Sequence, residues 1–464
     1  MKIVDERIRL LNGSEVNRNA RYVLYWMQMF KRARYNHALD FAIKTANERG
    51  LPLVVYEGLK YYYPWANDRI HTFILQGVSE KREEFARRGI RYIFYLQRHG
   101  RDPRRTLARL ANEAALIVTD DFPCFIIPEQ NRRLVEQVNV PVFAVDSNGM
   151  IPVSAFEKEE YSARTIRPKI KRMLALPFYG EYPVSPGIER EAGDLDLDCP
   201  ETRVTGDNLA ELVSQCDIDH SVKPSPLYSG GSRIAHERLR HFVERILPRY
   251  DELRNEPSVD GTSRLSPYLH FGFISIFEIV AAVKASPAPE RAKELFLEEA
   301  IVRRELSFNF TRHNPRYDSL DALPAWALKT MEQHKDDERP NRLSERLIER
   351  GQTYDELWNA SQRELLRTGE MHNYVRMLWG KMVIEWRPSY EQAFRLLVHL
   401  NNKYALDGRN PNSYAGILWC FGKHDRAWGP ERPIFGKLRY MSSRGMARKF
   451  DSRAYIEWTR GLRE

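Results

Sequence analysis

The first third of the chain alternates short apolar runs with amphipathic stretches. The apolar runs predict buried β-strands at residues 21–29, 52–58, 90–97, 115–120 and 141–146. The stretches between them have helical period and end in glycine, a common residue at helix ends. Strands that alternate with helices predict a doubly wound parallel α/β sheet, which binds ligands beyond the carboxyl ends of its strands. The dinucleotide pattern G-x-G-x-x-G is absent from this part of the sequence.

The second half of the chain follows a different pattern. The segment from Gly193 to Ser225 is polar, acidic and contains proline, which is typical of an interdomain linker. From Ile234 onward, helical period dominates and no convincing strand follows, so we expect an all-α domain. The predicted organisation is an N-terminal arm over 1–19, an α/β domain over 20–190, a linker over 191–227 and a helical domain over 228–464.

Length and composition fit a two-domain globular protein. The chain has 464 residues, of which 42% are hydrophobic and 29% are charged. No apolar run approaches the length of a membrane span, and the N-terminus lacks the apolar region of a secretory signal. The cysteines are scattered, which argues against a zinc site or a disulfide framework and favours a reducing cytoplasm: Cys124, Cys199, Cys216 and Cys420.

The net charge of +9 is concentrated near the C-terminus. Residues 361–464 contain 19 Lys and Arg against 10 Asp and Glu, whereas the rest of the chain carries 53 of each sign. A concentrated basic surface favours a polyanion such as DNA. The alternative is a basic domain that is merely soluble.

The same region holds a run of tryptophans among basic residues. Trp379, Trp386, Trp419 and Trp428 lie between Glu370 and Met441. Such tryptophans suit stacking on flat ligands or bases, and they suit electron transfer. A helical core with a solvated basic face explains the pattern equally well.

Two turns rich in hydroxyl groups precede helices of the second domain. They are SGGS at 229–232 and TSRLS at 262–266. Glycine allows close approach of the backbone to a ligand, and a helix N-terminus offers free N–H groups to phosphate. Serine is also a common N-cap of any helix, so either turn alone is a weak signal. Together they favour a cofactor that carries phosphate.

Spaced motifs in both domains resemble the photolyase/cryptochrome family. GTSRLSPYLHFG at 261–272 resembles its flavin-binding signature. The series Arg376, Trp379, Trp386, Asn401, Asp407-Gly408 and the segment WCFGKHDRAWG at 419–429 resemble its class II branch, the cyclobutane pyrimidine dimer (CPD) photolyases. The likeness runs from YWMQ at 25–28 through RREL at 303–306. It implies an α/β antenna-type domain followed by an all-α FAD-binding domain.

The resemblance implies a set of FAD contacts. Arg376 and Asp407 match an ion pair beside the isoalloxazine ring, where the arginine would stabilise an anionic reduced flavin. Asn401 matches the residue that faces flavin N5, with its neighbour Asn402 as the alternative. The full implied set is Ser229, Gly230, Gly231, Ser232, Tyr250, Thr262, Ser263, Arg264, Leu265, Ser266, Arg376, Asn401, Asp407 and Gly408.

Three tryptophans match the class II electron-transfer chain from the surface to FAD. Trp379 and Trp386 are seven residues apart and therefore share one face of a helix, about 10 Å apart along its axis. Trp358 completes the implied chain. A buried core stripe has the same spacing.

The resemblance also implies residues that contact the substrate. Glu299 matches an acid that hydrogen-bonds the pyrimidine edge, and Met377 matches a wall of the pocket. Arg254 falls, with Tyr250, where the family holds FAD, and it is assigned to the set that contacts substrate and DNA. Trp419 and Trp428 would pack on flipped thymines, since stacking on aromatic rings tolerates any base. Lys423 and Arg439 would hold the DNA backbone or fill the emptied base position.

The predicted function is light-dependent repair of CPDs by electron transfer from excited, reduced FAD to a flipped-out dimer. This activity is that of a carbon–carbon lyase, a deoxyribodipyrimidine photo-lyase. An antenna chromophore of 8-hydroxy-5-deazaflavin type is implied for the α/β domain. We expect a monomer without membrane contact, in the cytoplasm or wherever the DNA lies. The alternatives are a cryptochrome-like blue-light receptor and a non-catalytic nucleic-acid-binding protein, and the class II motifs argue against repair of (6-4) photoproducts.

Overall fold

The N-terminal part forms one six-stranded sheet in this computed structural model, which describes residues 5–193 and 195–462. Strands β1 to β6 span Ile8–Leu10, Tyr22–Trp26, Leu53–Lys60, Arg91–Gln97, Ala114–Asp120 and Val142–Val145. Their order is β1-β6-β5-β2-β3-β4. Strands β2 to β6 pair in parallel, and β1 adds an antiparallel edge on β6.

Seven helices belong to this part of the chain. Helices α1 to α7 span His37–Glu48, Asp68–Gln76, Val78–Arg87, Thr106–Asn112, Ile127–Val135, Ala163–Leu174 and Pro177–Gly180. Side chains start the first two of them, because Asn36 accepts from the N–H groups of Ala38 and Leu39 and Asn67 accepts from that of Ile70. The five predicted strands coincide with β2 to β6, and the predicted fold class is confirmed.

Strand β1 lies within the predicted arm and is the one strand that the apolar runs did not indicate. Its residues are half-buried or exposed, so no apolar run marks it. The buried Arg7 just before it donates hydrogen bonds to the carbonyl oxygens of Asp146, Gly149 and Met150. These bonds hold the arm against the sheet edge. Residues 1–4 of the arm lie outside the described residues.

The rest of the described chain is built of helices. Helices α8 to α22 span Leu209–Ser214, Ser232–His241, Tyr250–Leu253, Ser266–His270, Ile276–Ala285, Glu290–Leu297, Arg304–His313, Ala325–Gln333, Glu345–Glu349, Glu356–Thr368, Asn373–Trp386, Tyr390–Tyr404, Pro411–Cys420, Ser443–Met446 and Ser452–Arg460. Two π-helical segments, Phe242–Ile246 and Glu298–Arg303, interrupt the helical geometry. Single π-helical turns often occur at functional sites.

The two parts share buried contacts. Arg69 of α2 donates to the carbonyl oxygens of Leu365 and Leu366 in α17 and of Tyr404 in α19. Gly272 has φ +72°, and a Cβ there would lie 2.2 Å from the Met29 carbonyl oxygen. Only glycine fits both this conformation and this approach, so the turn after α11 can sit against the end of β2.

The predicted linker follows the outer edge of the sheet. The Thr202 N–H donates to the Phe94 carbonyl oxygen, and the Leu96 N–H donates to the Thr202 hydroxyl. The segment therefore adds contacts to β4, and α8 lies within it. Asp194 of this linker, and residues 463 and 464 of the helical domain, lie outside the described residues. The division into arm, α/β domain, linker and helical domain stays a prediction.

Candidate cofactor and DNA-binding site

A cavity of about 540 Å³ opens within the helical part. Its walls come from α10, the turn before α11, the second π-helical segment, α14, α18 and α20. Twelve residues singled out from the sequence line it: Tyr250, Thr262, Ser263, Arg264, Leu265, Ser266, Glu299, Arg376, Met377, Asp407, Trp419 and Arg439. Segments more than 150 residues apart in sequence therefore meet at one concave surface.

The TSRLS turn forms one wall of the cavity and is held from behind by Arg238. That guanidinium donates to the carbonyl oxygens of Thr262 and Ser263. Arg264 has φ +51°, and its own guanidinium donates to Asp260 and lies 3.5 Å from a Glu370 carboxylate oxygen. Burial alone would lower the pKa of Arg264, but Glu370, Tyr228 and Asp260 raise it above its usual value. The wall therefore carries a protonated arginine, paired with two carboxylates, and the three hydroxyl groups of Thr262, Ser263 and Ser266.

Arg376 and Asp407 lie next to each other in the cavity lining, with 4.0 Å between Nη2 and Oδ1. Arg376 donates instead to the Asn401 Oδ1 at 3.0 Å and to the Met371 carbonyl oxygen at 3.2 Å. Asp407 Oδ2 accepts from the Ser266 hydroxyl, while its buried Oδ1 accepts no hydrogen bond within the described residues. A buried carboxylate oxygen without a donor is costly, so this atom suits a ligand N–H or O–H group.

Asn401 and Asn402 have different surroundings. Asn401 lines a small cavity of about 20 Å³ next to the larger one, together with Arg376 and Trp379. The Asn402 Oδ1 accepts from the Arg409 N–H at 2.9 Å, and its amide points to the Tyr414 hydroxyl. Of the two side chains, Asn401 is the one near the site.

Gly408 supports the site from behind and does not line the cavity. A Cβ at this position would lie 2.7 Å from the Asn401 carbonyl oxygen. The glycine therefore lets the turn that carries Asp407 pack against α19. Its direct contact with a cofactor stays a prediction.

The predicted phosphate contact of the SGGS turn is corrected. Ser229 to Ser232 lie outside the cavity lining, and the turn packs against α2 and α3. The Gly230 N–H donates to the Gln76 side chain, and the Arg233 N–H donates to the Glu80 carboxylate. A Cβ at Gly230 would overlap the Phe73 carbonyl oxygen. The start of α9 is thus capped by the protein itself and not left open for phosphate.

Two acids of the cavity were missed in the sequence. Burial raises the pKa of Glu364 to about 7, and the neighbouring Glu370 adds to the effect. The Glu364 carboxylate accepts from the Tyr455 hydroxyl at 2.6 Å and from the His372 N–H at 3.1 Å. Burial also lowers the pKa of His372 to about 4, with Arg264 and Arg376 nearby. In the sequence, the available signal for Glu370 and Glu364 was their position six and twelve residues before Arg376.

Glu299 and Tyr250 also line the cavity. Glu299 lies in the π-helical segment Glu298–Arg303, and its carboxylate is 3.4 Å from the Arg254 guanidinium. Arg254 is not part of the lining; it stacks 5.6 Å from the Tyr250 ring centroid and supports both cavity residues from behind. Burial raises the pKa of Tyr250 to about 12, so the phenol is neutral.

Trp419 and Arg439 line the same side of the cavity. The Arg303 guanidinium lies 5.4 Å from the Trp419 ring centroid, which holds this ring in place. The Arg439 guanidinium lies 4.9 Å from the ring centroid of Trp428, and that of Arg426 lies 4.6 Å from the same ring. Trp428 itself does not line the cavity. Trp428 contacts two arginines, and its stacking on a base stays a prediction.

Lys423 is not available to DNA. Its side chain is buried, and its ammonium donates to the Glu159 carboxylate at 2.5 Å and to the Ala322 carbonyl oxygen at 2.6 Å. The predicted phosphate contact of Lys423 is therefore wrong, because the charge is already paired inside the protein.

The three tryptophans of the predicted electron-transfer chain are all buried. Trp379 borders the small cavity beside Arg376. The Trp358 indole N–H donates to the Trp379 carbonyl oxygen at 2.9 Å, and its ring centroid lies 5.0 Å from that of Trp386. The order from the cavity outward is thus Trp379, Trp358, Trp386.

Membrane-spanning helices and metal-holding clusters are both absent from the described residues. Across 5–193 and 195–462, no helix is both long and apolar enough to cross a membrane. Within the same ranges, no group of three or more His, Cys, Asp or Glu side chains is placed to hold a metal ion.

Known proteins resemble this chain in sequence and in fold. Residues 23–185 match the family model described as DNA photolyase. A deoxyribodipyrimidine photo-lyase of Methanothermobacter thermautotrophicus is 40% identical over 459 residues, which is 98% of each chain. Among solved structures, a Synechocystis cryptochrome superposes with a TM-score of 0.71 at 16% identity, covering 94% of this chain and 88% of its own. An archaeal photolyase from Sulfolobus tokodaii with two FAD molecules gives 0.65 at 17%, with the same coverage.

Proposed function

The chain belongs to the photolyase/cryptochrome family, and we propose that it repairs cyclobutane pyrimidine dimers in DNA by light-driven electron transfer. The 40% identity to a deoxyribodipyrimidine photo-lyase, over nearly the full length of both chains, supports light-dependent DNA repair as the activity. The fold alone does not separate a photolyase from a photoreceptor, because a cryptochrome superposes as well as a photolyase does.

One observation carries the proposal. A single cavity is lined both by the TSRLS turn with Asp407 and by Glu299, Met377 and Trp419. The first group suits a cofactor with phosphate and a hydrogen-bonding ring, and the second suits a flat base with a polar edge. Electron transfer between a cofactor and a base requires them to lie close together, which one shared cavity provides.

The first group of residues, the TSRLS turn and Asp407 with their neighbours, fits FAD. Arg264 and the hydroxyls of Thr262 and Ser263 would hold the diphosphate, while Ser266 would orient the Asp407 carboxylate to which its hydroxyl donates and Tyr250 would lie beside the cofactor. The unsatisfied Asp407 Oδ1 would accept from a donor of the ring, and Arg376 would favour an anionic ring. When bound in its fully reduced form, FAD supplies on absorbing light the electron that opens the cyclobutane ring and recovers it afterwards.

The second group, Glu299, Met377 and Trp419, would hold the flipped dimer. Glu299 would form a hydrogen bond with the polar edge of the pyrimidines, and it is oriented for this by Arg254. Met377 and Trp419 provide apolar and aromatic surface for the exposed rings. Arg439, at the rim, would bind the DNA backbone or fill the space that the dimer leaves.

We assign the chain to the class II branch on the combination of Trp358, Trp379, Trp386 and Asn401. Trp379 lies beside the proposed flavin position, so the tryptophans would deliver electrons that keep the cofactor reduced. Class II members that hold an antenna use a deazaflavin. We therefore propose an antenna of 8-hydroxy-5-deazaflavin type for the α/β domain.

The test uses the chemically reduced, flavin-loaded protein and two oligonucleotides, one with a thymine CPD and one with a (6-4) photoproduct. Under blue light, we expect absorbance at the thymine band to return for the CPD strand alone, with none in the dark. Return of absorbance for the (6-4) strand alone would overturn the assigned lesion. A protein that holds reduced flavin but repairs neither would be a photoreceptor, and one that binds no flavin would contradict both roles.

A further inference from the structure

The outermost tryptophan of the chain is sealed from solvent. Trp386 is fully buried, with a relative exposure of 0%. A reductant dissolved in water therefore cannot touch its ring. The residue that covers it is Tyr354, which is 59% exposed.

Tyr354 is in direct contact with Trp386. The two ring centroids lie 5.6 Å apart at an interplanar angle of 71°. The Trp386 indole N–H donates to the Tyr354 hydroxyl oxygen at 2.8 Å. On the other side of Trp386, the Trp358 ring lies 5.0 Å away at 70°. Trp358, Trp386 and Tyr354 thus form a series of contacting rings, and of these three only Tyr354 is exposed to water.

We propose that Tyr354 is the terminal electron carrier, which passes electrons from solvent reductants to Trp386. This inference rests on the proposed function of the three tryptophans and extends it by one residue. Tyrosine is the chemically suitable type here, because a phenol can give up an electron and a proton together.

The local backbone fixes Tyr354 in this position. Thr353 is bound through both its N–H and its hydroxyl to the Asn359 side chain, at 2.9 Å and 2.8 Å. Asp355 caps α17 by accepting from the Trp358 N–H at 2.8 Å. The residues on both sides of Tyr354 are thus tied by hydrogen bonds to the helix that carries Trp358.

The proposed step balances in electrons and protons. After Trp386 has lost one electron toward Trp358, one electron passes from Tyr354 to Trp386 and restores the neutral indole with its N–H in place. The oxidised phenol releases its O–H proton to water and becomes a neutral tyrosyl radical. A dissolved thiol then returns one hydrogen atom, that is, one electron and one proton.

The hydrogen-bond geometry suits this proton release. The Tyr354 oxygen already accepts from Trp386, and the hydroxyl has no acceptor among the described protein residues, so its proton can go to water. Burial raises the pKa of Tyr354, the bond from Trp386 lowers it, and Glu385 and Asp355 raise it further, with Tyr440 also nearby. The phenol is therefore protonated near neutral pH, and its oxidation must include loss of a proton.

A purely structural role is the competing explanation, because Tyr354 also satisfies the buried N–H of Trp386. Two variants separate the roles. Tyr354→Phe removes the hydroxyl, and Tyr354→His keeps an acceptor for the indole N–H while removing the oxidisable phenol. Tyr62→Phe is the matched control, since Tyr62 is also exposed, at 56%, and lies in the turn after β3.

The experiment follows flash photoreduction of the oxidised, flavin-loaded full-length protein by transient absorption and by electron paramagnetic resonance after freezing. The wild type and Tyr62→Phe should form a neutral tyrosyl radical, more slowly in D₂O than in H₂O. Tyr354→Phe and Tyr354→His should both lose that radical, show a tryptophan radical instead and give several-fold less stable photoreduction with thiol present.

Two outcomes would overturn the inference: a tryptophan radical alone in the wild type, or a tyrosyl radical that persists in both Tyr354 variants. Wild-type photoreduction in Tyr354→His would assign the residue to structure only. Trp379→Phe distinguishes this failure from failure of the proposed function. If that variant still forms the distal radicals, the tryptophan chain itself is wrong, whatever the Tyr354 variants show.

Discussion

Arg439 and Lys423 lie in the same basic segment, yet their surroundings give them different roles. Arg439 lines the rim of the cavity, half-buried and stacked near Trp428. Lys423 is buried and paired with Glu159. The sequence presents both as basic residues near a tryptophan, and only the tertiary contacts separate a group that can meet DNA from one that cannot.

The pair Arg439→Ala and Lys423→Ala tests this difference. Arg439→Ala should weaken binding of CPD-containing DNA and reduce the slope of log K against log salt by about 0.9 if it neutralises one phosphate. Lys423→Ala should leave that slope unchanged and lower the melting temperature by several degrees, because it leaves Glu159 without its partner. Binding titrations at several salt concentrations and thermal melts measure both. An unchanged slope in Arg439→Ala would place that residue off the interface.

Glu364 gives a prediction about pH. Its pKa is raised from 4.5 to about 7 in the folded protein, so the protonated acid is the form that folding favours. Its contribution to stability is complete below about pH 4.5 and is lost as pH rises through about 7. Glu364→Gln should therefore gain stability relative to the wild type from pH 5 to pH 8, on the order of 3 kcal/mol.

Urea unfolding at several pH values measures that gain. Glu356→Gln is the control, since Glu356 lies on the same helix α17 but is exposed beside Arg460. A difference between Glu364→Gln and the wild type that stays constant with pH would show that Glu364 is ionised in the fold.

Helix α18 is the element that joins the two chemical functions. Its first turns place Arg376 and Met377 at the cavity, and its later turns place Trp379 and Trp386 in the core. The i,i+7 spacing of the tryptophans predicted one shared face. It could not show that Trp358, from α17, contacts the Trp386 ring and donates a hydrogen bond to the Trp379 carbonyl oxygen.

Trp379→Phe tests this element. The change should block photoreduction of oxidised flavin, because it removes the carrier next to the cavity. Repair by protein that has already been reduced chemically should continue at close to the wild-type rate. Photoreduction kinetics and a repair assay on the same preparation measure both. Normal photoreduction would remove Trp379 from the path.

The elements also show where sequence reasoning stops. Five apolar runs located β2 to β6, because each strand is buried on both faces, whereas the half-exposed β1 left no such run. SGGS and TSRLS look alike in sequence, as hydroxyl-rich turns before helices. The first is closed by Gln76 and Glu80 and the second faces the cavity, and those partners come from segments far away in the chain. Local patterns cannot supply such contacts.

At the scale of the molecule, charge counting located the right region but overstated the surface. The C-terminal quarter carries the whole net charge of +9, yet four of its cations are buried: Lys381, Arg387, Arg409 and Lys423. Arg409, for example, donates to the carbonyl oxygens of Ala405 and Leu406 near the end of α19. The basic groups free to meet DNA are thus fewer than the sequence suggests.

In the proposed function, one cavity brings reduced FAD and the dimer close enough for electron transfer. The most direct measurement is the emission lifetime of the reduced flavin in the protein, with saturating CPD-containing DNA and with an undamaged strand of the same sequence. The lifetime should shorten only with the CPD strand and recover as illumination repairs it. A lifetime that does not change while the CPD strand is bound would contradict the claim.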